Sequence, residues 1–100
     1  MTRVTIESSG GDHRLTARGH AGSVETCNYI TGILYALAGF AYNEDHRVQA
    51  KLYTLRTQSG DVEIHVEGGV RMEAAFDMAC VGLLQLQKAH PDAIHVKFLD

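Results

Sequence analysis

The sequence predicts an α+β fold in the order ββαββαβ, a sandwich of one mixed or antiparallel sheet with two helices packed on it. Three observations carry this. Apolar residues alternate with polar ones on both sides of two turns, residues 8–12 and 58–61, each containing glycine. Each such pair of runs is followed by a segment whose apolar positions recur every three or four residues. A last alternating run, Ile94, Val96 and Phe98, comes after Pro91. One hundred residues, 45% of them hydrophobic, suffice for one domain, residues 1–100, with a core of its own.

Taken in order, Val4 and Ile6 fall on one side of residues 3–7, and Leu15 and Ala17 continue the alternation beyond the first turn. These form a hairpin whose second strand ends at Gly19-His20-Ala21-Gly22. A loop and a helix follow. Ser23 and Thr26 can each cap that helix, and Glu25 suits its first turn. From Ile30 the series Ile30, Ile33, Leu34, Leu37, Ala38, Ala41 keeps helical spacing. Tyr29, Tyr35, Ala36, Phe40 and Tyr42 make the other faces apolar too, so a second helix or a second copy of the chain must cover what one small sheet leaves open.

Residues 43–47 are polar and charged and read as a loop. Val48, Ala50, Leu52 and Thr54 share one strand phase, and Val62, Ile64 and Val66 share another across the second turn. Gly68-Gly69 breaks the chain. Residues 72–88 then read as a helix, with Ala75, Met78, Ala79, Gly82, Leu83 and Leu86 at helical spacing, stopped by Pro91. Gly32, Gly39 and Gly82 lie within helices, where each costs about 1 kcal/mol relative to alanine. Close approach of a neighbouring element is the expected reason for them.

A net charge of −3 and a pI near 6.0 lack the basic footprint of a nucleic-acid binder and suit a basic protein partner. The first residues have no apolar run of the signal-peptide kind. Residues 26–43 are uncharged, but their polar ends leave too short an apolar stretch to span a bilayer. A cytoplasmic protein without a membrane segment is expected, with Cys27 and Cys80 as thiols.

Chemistry points to Cys27 and His20. A helix N-terminus favours a thiolate over a thiol. An imidazole can take the proton and return it to a leaving amine. Backbone N–H groups in the same turn can hold an oxyanion. Six residues separate His20 from Cys27, a gap that a tight turn closes. The plainer alternative makes Cys27 a small buried residue and His20 a turn residue. Cys80 lies mid-helix and reads as packing. His13, His46, His65, His90 and His95 are scattered without metal-ligand spacing, and His65 and His95 fall on the polar phase of strands. Zinc on His20 and Cys27 would lack two further ligands, so no metal and no cofactor are expected.

GHAG followed by a cysteine at the start of an apolar helix resembles the ribosomal-processing cysteine proteases, the Prp family. The tail GLLQLQKAHPDAIHVKF is similar to that family's closing helix, turn and last strand. The resemblance implies a homodimeric Cys–His endopeptidase that trims the N-terminal extension of a large-subunit ribosomal protein. On it, Cys27 is the nucleophile and His20 the general base. Gly19 and Gly22 support the loop, and Thr31 stands one helical turn beyond the thiol, where the family usually has serine. The chain departs from the family pattern in its short AGSVET loop, in Val24 where an acidic residue is usual, and in Asn28 and Tyr29 in place of small alanines. The alternative function on the same fold is a catalytically inactive dimeric module that binds a peptide or ribosomal protein.

Overall fold

A computed structural model describes residues 1–99, and its element order is the expected ββαββαβ. β1 (Thr2–Ser9) and β2 (Asp12–Arg18) form the first hairpin. Its two-residue turn needs left-handed backbone at both positions, and Gly10 (φ +58°) and Gly11 (φ +86°) supply it. β3 (Ala50–Gln58) and β4 (Asp61–Gly68) form the second hairpin, with α1 (Val24–His46) before it and α2 (Val70–Ala89) and β5 (Ile94–Leu99) after it.

The strands make one sheet in the order β3-β4-β2-β1-β5. All neighbours are antiparallel except β1 and β5, which are parallel, so the sheet is mixed. The two hairpins therefore meet along β2 and β4, with Leu15 opposite Ile64 and Arg18 opposite Asp61. α1 connects β2 to β3 and packs on β3 and β4, and α2 connects β4 to β5 and packs on both of those strands.

Alternation gives the sheet one buried face, where Val4, Ile6, Leu15, Ala17, Ile64 and Val66 meet both helices. α1 buries Ile30, Leu34, Leu37, Ala38 and Ala41 there, and α2 buries Met72, Phe76, Ala79 and Leu83. The opposite face carries charge. Arg18 pairs with Asp61 at 2.6 Å, Arg56 with Asp61 and Glu63 at 3.0 and 3.1 Å, and His65 with Asp12 at 2.8 Å. Partly exposed pairs of this kind add little net stability, so burial on the helix side holds the layers together.

Four expectations need correction. Residues 43–47 are not a loop, because α1 runs on to His46. Glu44, 1% exposed, receives Arg71 Nε at 2.7 Å and Arg47 Nη1 at 3.8 Å, which ties the end of α1 to the start of α2. Asp45 Oδ1 accepts the Leu52 N–H at 2.9 Å. The charge that suggested a loop is thus spent on tertiary partners. Val48 lies outside β3, 88% exposed and at φ +59°. A bulge at Tyr53 then breaks the β3 phase: Leu52 opposes Val66, but Thr54 opposes His65 and Leu55 opposes Ile64. Leu55, not Thr54, therefore shares the helix side with Leu52. Finally, Gly82 does allow close approach, since a Cβ there would lie 3.0 Å from Ile33 Cδ1, whereas Gly32 and Gly39 face open space.

The hydrogen bond from Arg71 holds the Glu44 carboxyl below its ordinary value of 4.5, against the opposing effect of desolvation; the positive charges of Arg71 and Arg47 add to the lowering. A depressed carboxyl stabilises the fold above its unfolded pKa and loses that contribution as pH falls through the folded value. Glu44→Gln is expected to lower the Tm by several degrees at neutral pH, with the gap to wild type closing in acid. Equal melting at neutral pH would show the pair to be dispensable.

Candidate active site

The β2–β4 ladder sets the site. Because Arg18 pairs with Asp61, the turn at Ser59-Gly60 lies beside the residues that leave β2. The Gly19 N–H donates to the Gly60 carbonyl at 2.9 Å, and Thr2 Oγ1 donates to the Gly19 carbonyl at 3.3 Å. Gly19 has φ +93°, and a Cβ there would fall 2.5 Å from the Met1 carbonyl oxygen, so only glycine fits. Gly22 has φ +91° with nothing near its missing Cβ, so backbone conformation alone requires it.

Ser23 is the N-cap of α1: its Oγ accepts the Thr26 N–H at 3.2 Å. Thr26, the other candidate cap, is instead buried within the first turn. Cys27 is thus the fourth residue of α1, and its own N–H donates to the Ser23 carbonyl at 3.0 Å. The N–H groups of Val24 and Glu25 have no intrahelical acceptor, as at any helix start. The Ala21 N–H donates to Cys27 Sγ at 3.3 Å. A donor aimed at the sulfur is what negative charge there would use. Cys27 is half-buried and lines a surface cleft.

His20 and Cys27 line the same cleft, about 270 Å³ in volume. Thr31, Ile30, Leu34 and Tyr35 from α1 form one wall, and Gln58, Ser59, Gly60 and Asp61 form the other. A more open depression, bounded by Gly22, Ser23, Val24 and Asn28, shares His20 and Cys27 with it. Among the described residues, no hydrogen bond joins His20 to Cys27. The imidazole lies over the β3–β4 turn instead, so close that a Cβ on Gly60 would fall 2.6 Å from Nε2 and 2.8 Å from Cε1. Asp61 is nearby but occupied. Its carboxyl is held below the ordinary range by the hydrogen bond from Arg56, with Arg18 adding to the effect.

The structure thus brings Gly19, His20, Cys27 and Thr31 to one cleft and Gly22 to its extension. Sequence reasoning missed the Ala21 N–H, the Tyr35 wall and the whole β3–β4 turn. The turn could be read from Gln58-Ser59-Gly60-Asp61, but its neighbour could not. It also missed that His13 is 4% exposed, stacked on Phe76 at 4.9 Å and bonded through Nδ1 to Ser8 Oγ at 2.8 Å. The strand phase shared with Leu15 and Ala17 was the available signal. Cys80 is partly buried, and burial, with Asp77 adding, pushes its thiol up. Among the described residues no group of three or more His, Cys, Asp or Glu could hold a metal, and no helix is long and apolar enough to cross a membrane.

The fold is similar to those of solved structures over nearly the whole chain. The essential ribosomal processing protease Prp from S. aureus, in complex with a covalently linked product peptide, superposes with a TM-score of 0.78 at 14% identity, covering 99% of this chain and 100% of that one. The same S. aureus protease with a substrate peptide gives 0.66 at 13% identity, covering 99% and 100%. A protein from Streptococcus mutans gives 0.72 at 14% identity, covering 99% and 94%. At such identities the likeness establishes the fold. No protein-family model matches the sequence, and no curated protein matches it closely.

With limiting iodoacetamide at neutral pH, Cys27 is expected to alkylate several-fold faster than Cys80, whose thiol is held protonated by its surroundings. Peptide mapping by mass spectrometry reads the two rates. Equal labelling, or Cys80 first, would contradict the assignment of Cys27 as the reactive thiol.

Proposed function

We propose that residues 1–100 form a cysteine endopeptidase domain, with Cys27 as nucleophile and His20 as general base. The observation that carries this is the convergence of His20 and Cys27 on one cleft of about 270 Å³ at the start of α1. The fold's likeness to a protease solved with peptides in place supports the same reading.

In the first half-reaction His20 takes the thiol proton and Sγ attacks the scissile carbonyl carbon. The resulting oxyanion is within the field of the free N–H groups at the helix start, and the Ala21 N–H, already directed at Sγ, is placed to donate to it. Collapse breaks the C–N bond as the His20 imidazolium returns its proton to the departing amine, leaving a thioester on Cys27. In the second half-reaction His20 deprotonates a water that attacks the thioester, and the carboxylate product leaves as the thiol is restored. His20 and Sγ share no hydrogen bond at rest, so the two must draw together for these transfers. Gly19 and Gly22 hold the loop, and Thr31 contributes a hydroxyl to the cleft wall.

The substrate we propose is a cytoplasmic ribosomal protein of the large subunit whose N-terminal extension is removed during assembly. A second reading, an inactive binding module on the same fold, is favoured by one observation: the resting sulfur is bonded to the Ala21 N–H and not to His20. Co-expression with large-subunit ribosomal proteins, followed by mass spectrometry of their N-termini, separates the two. The enzyme predicts a trimmed product that disappears in Cys27→Ala and slows by about 10²–10⁴-fold in His20→Ala. Stable binding without any product, unchanged in Cys27→Ser, would establish the module instead.

We also propose a homodimer. α2 covers one flank of α1, yet an apolar groove of about 390 Å³ remains between them, with Phe40 and the 78% exposed Met78 on its walls. A symmetric second copy is the usual cover for such a surface. Sedimentation should give a dimer at micromolar concentration and a monomer for Met78→Asp with Phe40→Asp. A wild-type monomer would contradict it.

A further inference from the structure

We infer, on the reading of His20 as general base, that Gly60 is a positioning residue: the bare backbone of the β3–β4 turn is the seat that orients the imidazole. A catalytic histidine is ordinarily held by a hydrogen bond from one ring nitrogen to a carboxylate or carbonyl. No such bond to the His20 ring exists among the described residues, and Asp61, the acid at the cleft, is engaged by Arg18 and Arg56. Two contacts replace it. The chain next to His20 is pinned to the turn by the bond from the Gly19 N–H to the Gly60 carbonyl, 2.9 Å. The exposed ring then lies against Gly60 so closely that a Cβ there would fall 2.6 Å from Nε2 and 3.4 Å from Cδ2, and the ring itself would have to move.

Gly60 thus meets two separate demands, a left-handed backbone at φ +71° and the absence of a β-carbon beneath an imidazole. Gly10 meets only the first. It has φ +58° in the other hairpin turn, with nothing within 4 Å of its missing Cβ. Alanine at Gly10 therefore carries the backbone strain alone, whereas alanine at Gly60 carries the strain and displaces the ring. The seat limits the directions from which His20 can reach Sγ, which a flexible loop would not do.

The test compares Gly60→Ala with Gly10→Ala in the full chain, with His20→Ala used to assign the His20 ring signal among the six histidines. In wild type, a nuclear Overhauser contact is expected between the His20 ring protons and the Gly60 α-protons. Gly60→Ala should shift the His20 signal and lower kcat by between about 10- and 100-fold, the scale of a misplaced catalytic group. Gly10→Ala should change neither, though both variants lose comparable thermal stability. In the His20→Ala background Gly60→Ala should cause no further loss. Should Gly60→Ala not fold, the wild-type Overhauser contact decides, and its absence overturns the seat. Equal His20 signals and equal kcat in the two alanine variants also overturn it, and cleavage that is still lost in Cys27→Ala would leave the peptidase standing. A ring signal moved by Gly60→Ala in a protein that cleaves nothing would support the seat while removing the peptidase.

Discussion

The pairing of β2 with β4 is the constraint on which the rest depends. It joins the two hairpins into one sheet, and its register sets Arg18 against Asp61 at the end where β2 finishes and β4 begins. A slip of one residue would turn Leu15 and Ala17 to solvent and His13 with them. It would also carry the Ser59-Gly60 turn away from Gly19. Core and cleft are therefore specified by the same ladder: the buried side chains set the register, and the register brings a turn remote in sequence under His20.

Local chemistry then does the finer placing. Ser23 starts the helix three residues before Thr26, which leaves Cys27 at the inner edge of the first turn with its own N–H already bonded. The sulfur is left to the Ala21 N–H, and the imidazole to the turn. The resting arrangement keeps the two reactive groups in one cleft without bonding them to each other. On the peptidase reading the site would be completed by its ligand, because catalytic hydrogen bonds that are loose in the resting protein tighten when substrate binds.

How far this was legible from the chain depends on the range of each contact. Alternation and helical spacing at Val4 to Ile6, Val62 to Val66 and Ile30 to Ala41 are local, and they are enough for the element order and the single-sheet sandwich, but they leave a mixed sheet and an antiparallel one both open. His20 and Cys27 could be singled out because a short loop joins them. What failed was set at a distance. Glu44 and Asp45 look like loop residues until Arg71 and the Leu52 N–H are seen to claim them. Thr54 looks to share a side with Leu52 until the bulge at Tyr53 turns the strand over. Gly60 reads as one more hairpin glycine, since nothing near it in sequence reveals the ring above it.

The loop from Gly19 to Ser23 is anchored at its start to Gly60, in its middle to the Cys27 sulfur and at its end to Thr26. So short and so tied a segment has little conformational freedom left to surrender when a ligand arrives. It cannot fold over its guest as a long flap does. On the peptidase reading, recognition would then come from the shape already present, and new targets would be acquired by exchanging side chains on the cleft walls, Tyr35, Asn28 and Gln58 among them, rather than by remodelling the backbone.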